Sequence, residues 1–355
     1  MSTNTRYSRQ TCLSNFGTQK QEKLAYGRVL IVGLGGLGVP VANYLNAMGI
    51  GTIGLVEHDT VELHNLQRQV LYTENDIGKS KIATAFEKLK RQNSDTHIEV
   101  FDTFLTKENA LDIIKDFDIV VDATDNFATR YLINDACVIL EIPFVYGALH
   151  DFEGQVSVFN YENGPTYRCL FPKEPSRAEI PNCDENGVLG VLPGIVGTLQ
   201  ALEVVKVLTD VGDVLSGKLL VYNGLTQVMQ KINFNLNPEN KRIKKLKDSY
   251  DFAACLSVNT INAENFMQLI KTEQPQVVDV RSEKEFMAYS LPNAINIPLH
   301  SLVSSFEQID FSAPVYLLCQ SGKRSIMAYE QIKALYSDAA IFNVTGGMAN
   351  LITHA

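Results

Sequence analysis

The chain is poor in cysteine: six residues in 355, with no regular spacing. That excludes a disulfide framework and points to a reducing cytoplasm, where a cysteine can serve as a thiolate. Charge is also sparse, at 20% of residues, and the balance is acidic, −9 at pH 7. An acidic chain has no general affinity for nucleic acid, so no nucleic-acid partner is expected. The six histidines, at 58, 64, 97, 150, 300 and 354, show no metal-ligand spacing. The opening MSTNTRYSRQ has no apolar core, so no secretory signal is expected. There is no internal repeat and no low-complexity tract. The one long apolar stretch, residues 188–208, is interrupted by Pro193, Gln200, Glu203 and Lys206. A charge at the centre of a membrane helix costs about 2.5–3.5 kcal/mol. The stretch therefore reads as a loop entering a buried helix, and no membrane contact is expected.

What remains is a well-packed globular composition, 45% apolar, in a chain long enough for two domains. Strand-like runs at Val29–Val32, Thr52–Glu57, His97–Phe101, Ile119–Asp122 and Phe144–Gly147 alternate with helical patterns. The helices are expected at Val39–Met48, Ser80–Gln92, Lys107–Lys115 and Thr129–Leu140. Such alternation predicts an α/β fold with a doubly wound, mainly parallel sheet. Runs at 155–159 and 218–223 suggest an antiparallel extension around a polar loop, 171–187. The basic segment 237–258 reads as a solvated linker. Beyond it lies a smaller α/β domain, 259–355, with a helix at Ala263–Ile270 and strands at Gln276–Val280 and 314–319. The first domain is then 1–236.

Residues 28–45 read RVLIVGLGGLGVPVANYL, a buried strand running into Gly33, Gly35, Gly36 and Gly38 and then a helix. Glycines in such a turn let backbone approach phosphate closely, and Glu57 at the end of the next strand can accept from ribose hydroxyls. This much suits a nicotinamide oxidoreductase as well as an enzyme that cleaves a nucleoside triphosphate. The downstream residues favour the second. Asn65 and Arg68 follow in NLQRQ, Lys81 in GKSK. Fixed cations best stabilise the charge that develops on a departing pyrophosphate. Asp125, in DATDN at the end of another strand, is placed either to hold Mg²⁺ against a triphosphate or to cap the helix that follows.

RYSRQ (6–10), GLGGLG (33–38), NLQRQ (65–69), GKSK (78–81), DATDN (122–126) and LQALEVVK (199–206) together resemble the MoeB/ThiF family, bacterial relatives of ubiquitin-activating enzymes. The resemblance covers about residues 5–235. It implies ATP and Mg²⁺ as cofactors, and adenylation of the C-terminal glycine carboxylate of a small β-grasp sulfur-carrier protein ending in Gly-Gly. It further implies a homodimer in which Arg9 reaches the partner's ATP, and roles for Gly36, Glu57, Asn65, Arg68, Lys81, Asp125 and Asn126. Asp59 and His64 are added as nucleotide contacts. Many relatives carry Asp where this chain has Glu57.

Cys319 opens C-Q-S-G-K-R, residues 319–324, between a strand and a helix. Loop amides and the helix N-terminus would stabilise a thiolate or persulfide there, with Lys323 and Arg324 adding charge. Four residues, Gln320, Ser321, Gly322 and Lys323, separate Cys319 from Arg324, a loop suited to one sulfur atom. With VVDVRSEKEF (277–286), NAINIPL (293–299) and VTGGM (344–348), the region resembles a rhodanese domain. By the same resemblance Cys183 takes part in sulfur transfer. An upstream donor such as a cysteine desulfurase would load Cys319. The product, a thiocarboxylate, would serve molybdopterin synthesis, with thiamine synthesis or tRNA thiolation as alternatives. Most of the family carries two C-x-x-C pairs that hold zinc. The matching positions here are Thr166/Cys169 and Asn237/Asn240, so no zinc is expected. Cys12, Cys137 and Cys169 are then expected to be core thiols, and Cys255 is unassigned. The rival of another class is a non-catalytic, nucleotide-binding scaffold for a carrier.

Overall fold

The computed structural model describes residues 5–174, 187–250, 259–336 and 338–353. The chain divides into two compact units, 1–252 and 253–355.

The first unit opens with helices α1 (Ser8–Thr11) and α2 (Gly17–Tyr26). Then come β1 (Arg28–Val32), α3 (Gly38–Met48), β2 (Thr52–Glu57), α4 (Lys81–Gln92), β3 (His97–Asp102), α5 (Ala110–Ile114), β4 (Ile119–Asp122), α6 (Phe127–Leu140) and β5 (Phe144–His150). It closes with β6 (Glu153–Phe159), α7 (Tyr167–Leu170), α8 (Val191–Thr209), β7 (Lys218–Asn223) and β8 (Val228–Asn233). The sheet order is β3-β2-β1-β4-β5-β6-β7-β8. Strands β1 to β5 pair in parallel; β6, β7 and β8 extend the sheet antiparallel. Side chains alternate along β1, which explains the two-sided core: Val29 and Ile31 join one apolar cluster, Leu30 and Val32 the other. Helices cover both faces, as a parallel sheet requires.

Helix α8 is long and apolar enough to cross a membrane. Its polar residues nonetheless have protein partners: Gln200 Nε2 donates to Asp122 O (2.7 Å), and Glu203 accepts from Leu215 N (2.9 Å) and pairs with Lys206. It lies against α3, β5 and β6.

Three expectations differ. Helix α5 is shorter than Lys107–Lys115, because Asn109 Oδ1 accepts from Thr106 N (2.8 Å) and holds the preceding residues in a turn. Helix α2 and edge strand β8 were not expected; every residue of β8 is exposed, so its sequence carries no alternation. The segment from 237 is not a solvated linker through to 250. Tyr250 is buried and donates from Oη to Asp135 Oδ2 (2.8 Å), and Lys247 pairs with Glu174. A basic stretch hid these anchors because one tyrosine and one leucine, Leu246, supply the apolar contact.

The second unit contains β9 (Thr260–Ile261), α9 (Ala263–Thr272), β10 (Gln276–Asp279), α10 (Glu283–Ala288), β11 (Ile295–Asn296), β12 (Val315–Leu318), α11 (Lys323–Leu335), β13 (Ile341–Val344) and α12 (Gly347–Thr353). Its five strands form a parallel sheet, β11-β10-β12-β13-β9, with apolar clusters on both sides.

Candidate functional site

Strand β1 is flanked by β2 on one side and β4 on the other. The chain leaves β1 in one direction and returns on its other side, and the crevice at that switch is where such sheets bind ligands. A cleft of about 600 Å³ opens there. Gly33 has φ +94°, a left-handed conformation that favours glycine, and a Cβ there would come within 2.9 Å of Ala123 O. Gly36 lines the cleft. Gly38 does not. A Cβ on Gly38 would lie 1.9 Å from Gly33 O, so its absence of side chain serves the packing of α3 onto the turn.

Glu57 is buried and already engaged. Oε2 accepts from Leu34 N (3.0 Å), and Oε1 from His58 N (2.8 Å) and Asp59 N (3.0 Å). A carboxylate offers about four acceptor positions. The carboxylate therefore fixes the glycine turn while keeping one for a ligand. Tyr72 Oη donates to Leu34 O (3.1 Å) from beneath, and burial holds its hydroxyl well above the ordinary tyrosine range.

The segment after β2 brings the cations. Asn65 is buried in a short 3₁₀ turn, where Oδ1 accepts from Glu62 N (3.2 Å). Arg68 Nη1 donates to His64 O (3.0 Å). Lys81 starts α4, is 6% exposed, and pairs with Asp59 (3.1 Å). On the far side of β1, Asn126 caps α6 by accepting from Thr129 N (2.9 Å), which leaves Asp125 outside the cap on the cleft wall. Gly36, Glu57, Asp59, His64, Asn65, Arg68, Lys81, Asp125 and Asn126 thus all line one cleft. Arg9 lies exposed on α1, away from that lining. Cys183 lies outside the described residues, as does Cys255.

Arg130, not singled out in the sequence, lines the same cleft. Its signal was available: it stands one helical turn after Asn126, so it returns to the face where the DATDN turn lies. Beneath it, Asp122 is fully buried, with Oδ1 accepting from Thr124 N (3.1 Å) and Oγ1 (2.7 Å). Burial raises the Asp122 carboxyl above the ordinary carboxylate range, while Arg130 pulls it the other way.

Of the carboxylates lining the cleft, Asp125 suits Mg²⁺ delivered on a triphosphate, since that ion keeps several waters and takes one or two carboxylates plus phosphates. The zinc positions do not fit a metal. Cys169 Sγ is the sole sulfur, and the other three residues turn hydrogen-bond donors toward it: Thr166 N (3.4 Å), Asn237 N (3.3 Å) and Asn240 Nδ2 (3.5 Å). Burial pushes this thiol up, but those bonds outweigh it and bring it below the ordinary thiol value. Among the described residues no group of three or more His, Cys, Asp or Glu is arranged to hold a metal. Of the other thiols expected in the core, Cys137 is buried and its burial raises it well above the ordinary value; Cys12 is exposed, because α1 buries no residue.

In the second unit Cys319 follows β12 and is fully buried, with Gln320 and Ser321 exposed beside it. Gly322 has φ +86° and turns the loop into α11. Ser325 Oγ lies 3.3 Å from Cys319 Sγ and 2.6 Å from Asn343 Oδ1. Arg324 was expected to add charge at the sulfur. Its guanidinium instead forks onto Glu285, at 2.8 and 2.7 Å, and holds that carboxyl at about 2. Arg281, inside the VVDVR motif but given no role there, is buried on Asp279 (2.7 Å), and its Nη1 donates to Gln320 Oε1 (3.4 Å). Glu285, Arg281 and Asp279 lie 34 or more residues from Cys319 in sequence, beyond the reach of a local motif.

The chain matches the ThiF family over residues 7–243 and the rhodanese-like domain over 262–353. It is 37% identical to an Aedes aegypti protein named adenylyltransferase and sulfurtransferase MOCS3, over 97% of this chain and 85% of the relative. An Anopheles gambiae protein of the same name is 38% identical over 94% and 82%. Among solved structures, Escherichia coli MccB crystallised with ATP aligns with a TM-score of 0.60 and 25% identity, over 67% of this chain and 73% of that one.

Proposed function

This chain belongs to the ThiF family, carries a rhodanese-like domain and is an adenylyltransferase and sulfurtransferase, and from that premise we propose that it converts the C-terminal carboxylate of a small β-grasp carrier ending in Gly-Gly into a thiocarboxylate. The observation that carries the reading is the convergence of Glu57, Asn65, Arg68, Lys81 and Asp125 on one cleft beside a glycine turn. A carboxylate is a poor electrophile. Its oxygen attacks the α-phosphorus of ATP, the bond to the pyrophosphate oxygen breaks, and an acyl adenylate results. No protein nucleophile is required; positioning and charge neutralisation lower the barrier.

Glu57 holds the ribose. Arg68 and Lys81 hold the phosphates and stabilise the leaving pyrophosphate. Asp125 would hold Mg²⁺ against the triphosphate, where the ion would screen phosphate charge. The family resemblance assigns Arg9 to the ATP of a second copy in a homodimer. Sulfur arrives on Cys319 as a persulfide from a donor such as a cysteine desulfurase. The terminal sulfur attacks the acyl carbon and AMP leaves, giving an acyl disulfide. The Cys183 thiolate then attacks Cys319 Sγ, the thiocarboxylate departs, and a cellular thiol reduces the Cys183–Cys319 disulfide. A reducing cytoplasm suits this cycle, and molybdopterin synthesis is the pathway proposed.

Incubation with ATP, Mg²⁺ and a Gly-Gly carrier should release pyrophosphate in step with carrier added. A scaffold would bind both and release none.

A further inference from the structure

Arg130 is a buried cation that, among the described residues, makes no hydrogen bond to a carboxylate. It is 7% exposed. Of its five N–H donors, Nη2 donates to Thr124 O (3.0 Å), while Nε is buried with no partner. The guanidinium lies over the rings of Phe127 and Tyr146, 5.4 and 5.5 Å from their centroids. Asp122 and Asp125 attract it, yet Asp122 gives its Oδ1 to Thr124 and keeps a buried Oδ2 unpaired. Taking a guanidinium out of water costs several kcal/mol unless charge and hydrogen bonds are returned. Here neighbouring carboxylates answer the charge, but the hydrogen bonds are returned only in part, at the wall of a cleft, which is the pattern of a site completed by its ligand.

Position identifies the ligand. Arg68 and Lys81 follow β2, whereas Arg130 follows β4, so the two sets of cations stand on either side of the β1 glycine turn. The reaction brings two anions together, a triphosphate and a carboxylate. The first has two cations on its own side. The second must be desolvated to attack phosphorus, and a planar guanidinium presents paired donors that match a carboxylate. We propose that Arg130 anchors the carrier's C-terminal carboxylate across the glycine turn from the triphosphate. The two ring faces orient the guanidinium and keep water from it. This inference rests on the adenylation reading.

The test is binding, without turnover, to the full chain in the presence of a non-hydrolysable ATP analogue. A β-grasp carrier is prepared with a free C-terminal carboxylate and with a C-terminal amide. Charge-assisted hydrogen bonds of this kind correspond to about a 10–100-fold preference for the carboxylate form. Arg130→Met should abolish that preference, and Arg130→Lys should keep part of it. Far-UV spectra and melting curves like those of wild type report that the variants fold. The inference is overturned if Arg130→Met keeps the preference, if wild type binds both forms equally, or if nucleotide affinity alone collapses. Binding of neither form to wild type sinks the adenylation reading together with it.

Discussion

The two reactive centres are built in opposite ways. The front cleft is open, and its polar groups come from separate segments: Glu57 from β2, Arg68 from the connection to α4, Lys81 from the start of α4, Asp125 from the turn after β4 and Arg130 from α6. The rear centre is one short loop, Cys319 to Gly322, around a thiol with no exposed surface, with the Arg324 and Arg281 guanidiniums engaged by Glu285 and Asp279. The first is arranged to hold large anions whose charge changes during reaction. The second shields a single sulfur, and the two described guanidiniums beside it are already held by carboxylates. The difference teaches that electrostatic stabilisation belongs to the front step, whereas the rear step depends on sulfur chemistry and access.

If that division is right, the two activities separate cleanly. The largest effect is expected for Cys319→Ser, which should abolish thiocarboxylate formation and leave pyrophosphate release intact. Next, Lys81→Ala or Arg68→Ala should lower the adenylation rate by about 10²–10³-fold, the loss typical of removing a group that stabilises transition-state charge. Persulfide loading of Cys319 should not change in either variant, as measured by mass spectrometry. A comparable loss in both activities would break the comparison.

A smaller effect sharpens it. In the folded second unit Glu285 stays ionised down to about 2, chiefly through its bonds from Arg324. In the unfolded chain it takes up a proton near the ordinary glutamate value. Its contribution is present at neutral pH and is lost as pH falls through that interval. Thermal melts should show wild type losing more stability on acidification than Glu285→Gln, without a change in adenylation. The pair is partly exposed, so the difference is modest.

The smallest effect concerns Cys169. Because donors rather than thiolates face its sulfur, a chelator should leave the melting temperature unchanged. Cys169→Ala should lower it by about 2–4 °C, matching a loss of about 1 kcal/mol. A chelator-induced drop would mean that metal binds after all.

Legibility followed the same divide. Strands Thr52–Glu57 and Ile119–Asp122 were read to the residue, because continuous β-branched runs between turns leave few alternatives. The cleft-lining set from Gly36 to Asn126 was legible as ordered motifs. Edge strand β8 was not, since six exposed positions carry no burial pattern. Arg130 was missed because a single arginine inside a helical pattern resembles a surface residue until the fold buries it. The pairing of Arg324 with Glu285 depends on α10 meeting α11 across 39 residues, which no spacing rule reveals.

The central claim is that the front cleft makes AMP the leaving group that sulfur later replaces. The most direct measurement is the intact mass of a Gly-Gly carrier incubated with ATP, Mg²⁺ and the Cys319→Ser variant. The account predicts a carrier bearing AMP and no added sulfur. An unmodified carrier, with wild type still producing thiocarboxylate from it, would contradict the account.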